Sequence, residues 1–294
     1  MALYATDGEK ILFAPDANPR RIYRCLGCGA LVRVRRGLHR FPHFYHIRSP
    51  GSCHLYSKTE DHQLLQLQLS SLFPKGKVLI EQPFLDIQRV ADLLWEEKRI
   101  IFEIQCSLIQ PADAEQRIID YRRLGYEIIW LLDDRLFNKR WLRPAESFLR
   151  GQTAYFFSFR RALPSIIYDQ CEILIQKRRW RKGFFSKVNL LSPKKIPAIP
   201  WPTEIPEQLS KRAKEAIYYF KGDLLYRTLQ STRYPTTALA LAYWRKEELA
   251  IAKKNRPPSL LWWFLKTFLL IPARLWFDDF SIRHGVYPPD RPEN

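Results

Sequence analysis

Several things are scarce in this 294-residue chain. Acidic residues are outnumbered, 30 Asp and Glu against 48 Lys and Arg, which leaves a formal net charge of +18. A surface of that sign attracts polyanions, and nucleic acid and anionic membrane are the two obvious ones. Cysteine is limited to Cys25, Cys28, Cys53, Cys106 and Cys171. An odd number, with two of them only two residues apart, excludes an ordinary disulfide framework. A long uninterrupted apolar run is missing as well. The most apolar stretch, residues 259–277, is broken by Lys266, Pro272 and Arg274 and barely reaches bilayer-spanning length. No transmembrane segment is therefore expected, and the Trp- and Leu-rich 260–277 stretch is expected to be a buried helix. The first residues lack the basic-then-apolar pattern of a signal peptide, so a reduced, cytoplasmic setting is expected. No internal repeat is found.

What is present is the composition of a packed protein, 46% hydrophobic and 14% aromatic, which argues against disorder. Charge divides the chain. Residues 1–56 carry nine Lys/Arg against three Asp/Glu, residues 57–159 fourteen against fifteen, and residues 160–294 twenty-five against twelve. The expected organisation is a small N-terminal segment (1–56), a near-neutral core (57–159) and a basic, mainly helical C-terminal region (160–294). The five prolines of 192–206 mark an extended linker or strap.

Within the core, Thr59 is a plausible N-cap for a helix over 59–73 that carries Leu64, Leu65, Leu67, Leu69 and Leu72. Three strands follow, over 78–84, 89–95 and 99–108, the last two joined as a hairpin near Glu96–Lys98. A helix at 112–124 ends before Gly125, and the apolar run 126–133 reads as a buried strand. Because a helix precedes it, that strand is expected to lie parallel to the third strand in a mixed α/β sheet.

The hairpin carries the chemistry. Asp92 and Glu103 stand on its two strands, and strand alternation turns Glu103 and Gln105 to one face while Phe102 and Ile104 turn to the core. Carboxylates within apolar strands are expensive unless paired or bound to a cation. Two carboxylates plus a backbone carbonyl form an oxygen set suited to Mg²⁺ or Mn²⁺. Ion pairs of Asp92 with Arg89 or Arg117, and of Glu103 with Lys77 or Arg99, account for the spacing equally well.

Taken together, RVADLLW, FEIQCSLI, Arg117 and Tyr121 at R-x3-Y spacing, and GYEIIWLL resemble the CoiA-like competence protein family. Its members resemble the restriction-endonuclease-like fold of the PD-(D/E)xK nuclease superfamily. The positions carrying the resemblance are Arg89, Ala91, Asp92, Glu103, Gln105, Ser107, Arg117, Tyr121 and Trp130, with Leu93 for the usual Val. The resemblance covers roughly residues 22–135. It implies processing of DNA during transformation and recombination, with Asp92 and Glu103 holding a divalent metal and Gln105 in the slot where many members carry a catalytic Lys. Gln cannot supply that positive charge. The family's E-S-x-x-H-x3-K-like segment is also eroded, to Lys58, Thr59, His62 and Gln66. His62 survives, as a contact to phosphate or metal-bound water or as a structural histidine. Glu81, on the first strand, is a further candidate carboxylate.

Upstream, Cys25 and Cys28 in an R-C-L-G-C-G context look like a zinc knuckle, with His43 and His46 completing a Cys2His2 site and Cys53 as an alternative donor. The family also shows C-x2-C followed by an H-F-x-H segment. A segment of this size seldom folds on core burial alone, so a structural zinc makes physical sense. Arg33, Arg35 and Arg36 beside it, and Lys177, Arg178, Arg179 and Arg181 in KRRWRKGFF, are candidate DNA contacts. Trp180, Phe184 and Phe185 could stack bases of single strands. The reading that follows is a metal-dependent nuclease acting on single-stranded or branched DNA, alongside recombination or DNA-uptake machinery. The alternative is a non-catalytic DNA-binding accessory protein that keeps the fold.

Overall fold

The computed structural model describes residues 1–255 apart from 39, 52, 54, 57, 161–162, 198–204 and 231–234. The chain divides into two units, Met1–Glu248 and Leu249–Asn294. The 260–277 stretch and most of the proline-rich segment lie outside the described residues.

Five short strands open the chain: β1 (Tyr4–Thr6), β2 (Ile11–Phe13), β3 (Tyr23–Cys25), β4 (Leu31–Arg35) and β5 (His43–His46). They form an antiparallel sheet in the order β2-β1-β3-β4-β5. Strand β4, LVRVR, alternates with period two. Val32 and Val34 join Tyr23, Cys25, Phe44 and Leu55 in a small core, while Arg33 and Arg35 face outward.

Helix α1 (Glu60–Leu72) starts where Thr59 Oγ1 accepts a hydrogen bond from His62 N at 3.2 Å, the capping expected of a threonine there. The helix buries two stripes at i, i+4 spacing. Leu65 and Leu69 enter an apolar core with Leu93, Phe102, Ile104 and Ile129, and His62 and Gln66 form a polar stripe beside them.

The central sheet then forms. It contains β6 (Leu79–Phe84), β7 (Arg89–Trp95) and β8 (Ile100–Gln105), then, after α2 (Pro111–Arg123), β9 (Glu127–Asp133). The short helices α3 (Asp134–Phe137) and α4 (Pro144–Leu149) lead into β10 (Ala154–Arg160), β11 (Leu163–Ile175) and β12 (Arg178–Lys187). The order is β12-β11-β10-β9-β8-β7-β6. As expected, β7 and β8 pair antiparallel and β9 lies parallel to β8. Strand β10 is also parallel to β9, whereas β11 and β12 are antiparallel additions. Helix α2 packs Ala114, Ile118 and Tyr121 against Ile101, Ile128 and Trp130 on the face opposite α1. Gly125 takes φ +78° just past α2, and its N–H donates to Arg122 O, a left-handed stop that favours glycine.

The sheet does not end at residue 159, where the sequence reading places the core boundary. The basic run 177–187, expected among irregular or helical structure, is edge strand β12 from Arg178 on. The inward-facing positions of β11 and β12 include Asp169, Glu172 and Arg179, all buried. Asp169 pairs with Arg150 and Arg212, and Glu172 with Arg150 and Arg179, so no apolar alternation marks these strands in the sequence. Beyond them, β13 (Asn189–Lys195) pairs with β14 (Tyr218–Lys221), with α5 (Glu207–Glu215) between them and α6 (Leu224–Leu229) and α7 (Pro235–Lys254) after. Residues 192–195 of the expected strap are thus extended, within β13. Among the described residues, no helix is long and apolar enough to cross a membrane.

Candidate active site and metal centre

The ladder between β7 and β8 is last paired at Leu93–Phe102. One step further in the same register, Asp92 stands opposite Glu103. Here a side chain takes over from the ladder, since Ile104 N donates to Asp92 Oδ2 at 2.8 Å. A cavity of about 70 Å³ opens at this point, lined by Lys58, His62, Asp92, Glu103, Gln105 and Arg117 among others. That is room for several water molecules or a partly hydrated ion.

Two elements besides the hairpin supply its walls. The polar stripe of α1 brings His62 Nε2 to 3.1 Å from Asp92 Oδ1 and Gln66 Nε2 to 3.1 Å from the Asp92 carbonyl oxygen. Helix α2 brings Arg117, whose Nη1 donates to Glu103 Oε2 at 2.8 Å, and Tyr121, whose hydroxyl lies 3.4 Å from Glu103 Oε1. The sequence reading thus pairs Glu103 with the wrong cation. Arg89 is engaged by Asp120, Lys77 by Glu97 and Arg99 by Glu96.

Lys58 is the residue that the sequence reading missed. Its Nζ lies 2.7 Å from Asp92 Oδ1 and 3.2 Å from Glu81 Oε1, with only 8% of the side chain exposed. The signal was present, because Lys58 stands first in the eroded segment ahead of α1, but it read there only as a lost Glu. Glu81 also departs from expectation. Its Oε2 accepts from Leu3 N and Tyr4 N at 2.8 and 3.0 Å, so it ties the N-terminal sheet to the core rather than facing the cavity with two free oxygens.

Burial opposes every charge here, and the partners decide the outcome. Burial alone would raise the Asp92 carboxyl, yet His62 and Lys58 hold it well below the usual range. Burial would lower the Lys58 ammonium, but Asp92 and Glu81 raise it. Glu103 is pushed up to about 7 by burial and by Asp92 beside it, against the pull of Arg117. Two neighbouring carboxylates with separated proton affinities are a common arrangement at reactive sites. Gln105 is buried at the cavity wall, its amide tied down by Nε2 donating to the Ser107 carbonyl oxygen at 2.7 Å.

In the N-terminal sheet, Cys25, Cys28, His46 and Cys53 bring one donor atom each within 4.8 Å of one another. The Cys25 and Cys53 sulfurs are 3.7 Å apart, and Cys28 Sγ lies 3.3 Å from His46 Nε2. A tetrahedral zinc with Zn–S near 2.3 Å separates its sulfurs by about 3.8 Å, so the donor set fits and could hold a structural metal such as zinc. Gly29, at φ +69°, turns the knuckle as its N–H donates to Cys25 O at 2.9 Å. Without metal, burial raises the Cys25 thiol to about 12 and also raises Cys53. His43 is not in this set. Residues 43–46 form a strand, and positions three apart on a strand face opposite ways. His46 therefore reaches the cysteines, while His43 is buried with Nδ1 2.9 Å from Phe41 O. Cys53 takes the place that the sequence reading gave to His43.

The candidate DNA contacts also divide by strand face. Arg33 and Arg35 are exposed on β4, with Arg35 stacked on Tyr45 at 4.5 Å. Arg36 is instead bound to the Pro15 and Ala17 carbonyl oxygens. Lys177 is exposed in the turn before β12, and Arg181 pairs with Glu247 at 3.1 Å. Arg179 is turned inward between Glu146 and Glu172, with its side chain fully buried, so it offers nothing to a phosphate.

No curated protein and no solved structure matches this chain. Asp92, Glu103, Gln105, His62 and Lys58 all fall within residues 51–175, and that stretch, from just before Cys53 to the end of β11, matches the family described as competence protein CoiA, nuclease-like domain.

Proposed function

We propose that the pocket between α1, α2 and the β7–β8 hairpin hydrolyses DNA phosphodiesters with the help of Mg²⁺ or Mn²⁺, in the processing of DNA during competence and recombination. The observation that supports this most is the meeting of Asp92 and Glu103 where the hairpin ladder ends, inside an open cavity that also holds Lys58 and Arg117. Hard carboxylate oxygens suit a hard divalent cation, and Asp92 and Glu103 would hold it. Bound there, such a cation supplies Lewis acidity toward a phosphoryl oxygen and a lowered pKa for bound water. The chain's own groups do the rest. Lys58 and Arg117 place positive charge beside the cavity, where it offsets charge developing on the phosphate. Lys58 thereby makes good the charge that Gln105 cannot supply. His62 and Gln66 orient Asp92, while Gln105 braces the turn after β8 through Ser107. Single-stranded or branched DNA is the expected substrate, with Arg33 and Arg35 as outlying phosphate contacts.

A second reading has its own support. Lys58 and Arg117 already neutralise both carboxylates, as in a site kept for structure alone, which suits a DNA-binding accessory protein. One experiment separates the two. Labelled single- and double-stranded DNA is incubated with Mg²⁺ or Mn²⁺ and with wild type, Asp92→Ala or Glu103→Ala. The nuclease reading expects cleavage by wild type and its loss in both variants. Cleavage that survives both substitutions would sink the site. Binding without cleavage under any condition supports the accessory role.

A further inference from the structure

The other end of the sheet carries a group of side chains that the acidic pocket does not use. Strands β11 and β12 join through Gln176 and Lys177, both with positive φ, in a tight two-residue turn. Along β12, Arg178 and Trp180 are two residues apart and share a face, with Arg179 turned inward between them. The Arg178 guanidinium lies 3.9 Å from the centroid of the Trp180 ring. Trp141 bridges to Arg178 through the backbone and sets its own ring 5.3 Å from the guanidinium. The result is a planar cation in contact with two indoles.

The Trp141 end of this group faces solvent, while Arg178 and Trp180 are half-buried. Trp141 is 62% exposed, an unusual setting for a large aromatic with no packing role of its own. Lys139, Arg140 and Lys177 are exposed beside it. Neither they nor Arg178 has an acidic partner among the described residues. Charge complementarity therefore selects a polyanion, and the flat rings select one that can present a π-face. Duplex DNA meets the first condition but keeps its bases stacked inside, whereas single strands offer both phosphates and open bases.

We propose that Trp141, Arg178 and Trp180 form a stacking platform for the bases of single-stranded nucleic acid, with the neighbouring cations tracking its phosphates. The platform is separate from the acidic pocket. Register partners cross the sheet from Gln105 through Leu132, Phe156 and Tyr168 to Lys187. Arg178 lies nine residues back along β12 from that row, on the order of 30 Å along the strand. Binding here needs no chemistry at Asp92, so a chain that cleaves nothing can still pass the test.

The test is fluorescence anisotropy with the full chain in EDTA, which removes any divalent-dependent cleavage. The probes are a labelled oligothymidine of about 20 nucleotides and a duplex of the same length. Trp141→Ala should weaken oligothymidine binding by about tenfold. Arg178→Lys keeps the charge but loses the planar stack, so it should weaken binding similarly. Trp141→Phe should retain most of the affinity, and duplex binding should change less than threefold in all three variants. Unchanged oligothymidine affinity in Trp141→Ala and Arg178→Lys overturns the proposal. So do equal losses on duplex, which would make the patch a general phosphate contact. Matching thermal melts establish that the variants fold. Should Trp141→Ala fail to fold, wild-type tryptophan emission decides, because stacking quenches it and an unchanged spectrum on adding oligothymidine overturns the platform.

Discussion

Replacing Lys58 by Met tests whether the buried ammonium stands in a cation site. The side chains are similar in length, so the change removes charge more than volume. In wild type, one ammonium serves Asp92 at 2.7 Å and Glu81 at 3.2 Å, and all three side chains are less than 10% exposed. Taking it away leaves Glu81 Oε1 without its cation and Asp92 Oδ1 with only His62 and the Gln66 amide. Removing one partner from a buried ion pair costs roughly 3–5 kcal/mol. For a chain of this size that lowers the melting temperature by on the order of 10 °C. The informative quantity is the response to Mg²⁺. In wild type a divalent ion must share Asp92 with the ammonium; in Lys58→Met it meets an uncompensated pair. Mg²⁺ at about a hundredfold over its Kd should then restore about 2.7 kcal/mol, and the variant should gain more stability from the ion than wild type does. Cleavage, if Lys58 offsets charge on the phosphate, should fall by about a hundredfold or more. Differential scanning fluorimetry with and without Mg²⁺, read beside cleavage rates, supplies both numbers. Equal Mg²⁺-induced shifts in the two proteins would refute the reasoning, as would cleavage indifferent to the substitution.

Three other outcomes follow from named contacts. Metal analysis of chain purified without chelator should find about one zinc per chain, lost in Cys53→Ser and kept in His43→Ala; the reverse pattern restores the Cys2His2 set. Arg179→Ala leaves Glu146 and Glu172 buried without their shared guanidinium, so chemical denaturation should show a loss of about 3–5 kcal/mol, with the DNA affinity of the folded protein unchanged. Glu103 has a raised pKa in the folded chain, about 7 against an ordinary 4.5. The stability it contributes is therefore complete below about pH 4.5 and is lost as pH rises through about 7. In chelator, urea midpoints should accordingly fall between about pH 5 and about pH 8 in wild type, and fall less in Glu103→Gln; identical slopes would remove Glu103 from the account.

Much of the core was legible because several local signals agreed. Thr59 as a cap and the leucines both mark α1, the glycine marks the end of α2, and the apolar run marks β9. The opposition of Asp92 and Glu103 could be read from the hairpin alone, since a short turn sets the register and alternation sets the face. Lys58 could not be read this way. It reaches Asp92 only because α1 packs across the sheet, and a residue ahead of a helix start carries no local mark of where its side chain will end.

Histidines 43 and 46 show a different limit. A spacing of three suits a helix or a loop, but in a strand it sends the two rings to opposite faces, so only His46 joins the cysteines and Cys53 stands where His43 was expected. The same parity governs KRRW. Arg178 and Arg179 are adjacent, identical and equally basic in sequence, yet one is half-buried against two indoles and the other lies between two glutamates in the interior. A charge run read only by its sum treats both as phosphate contacts. Along a strand, where faces alternate, about half of such a run is already committed to the fold, and only the outward half remains to meet a ligand.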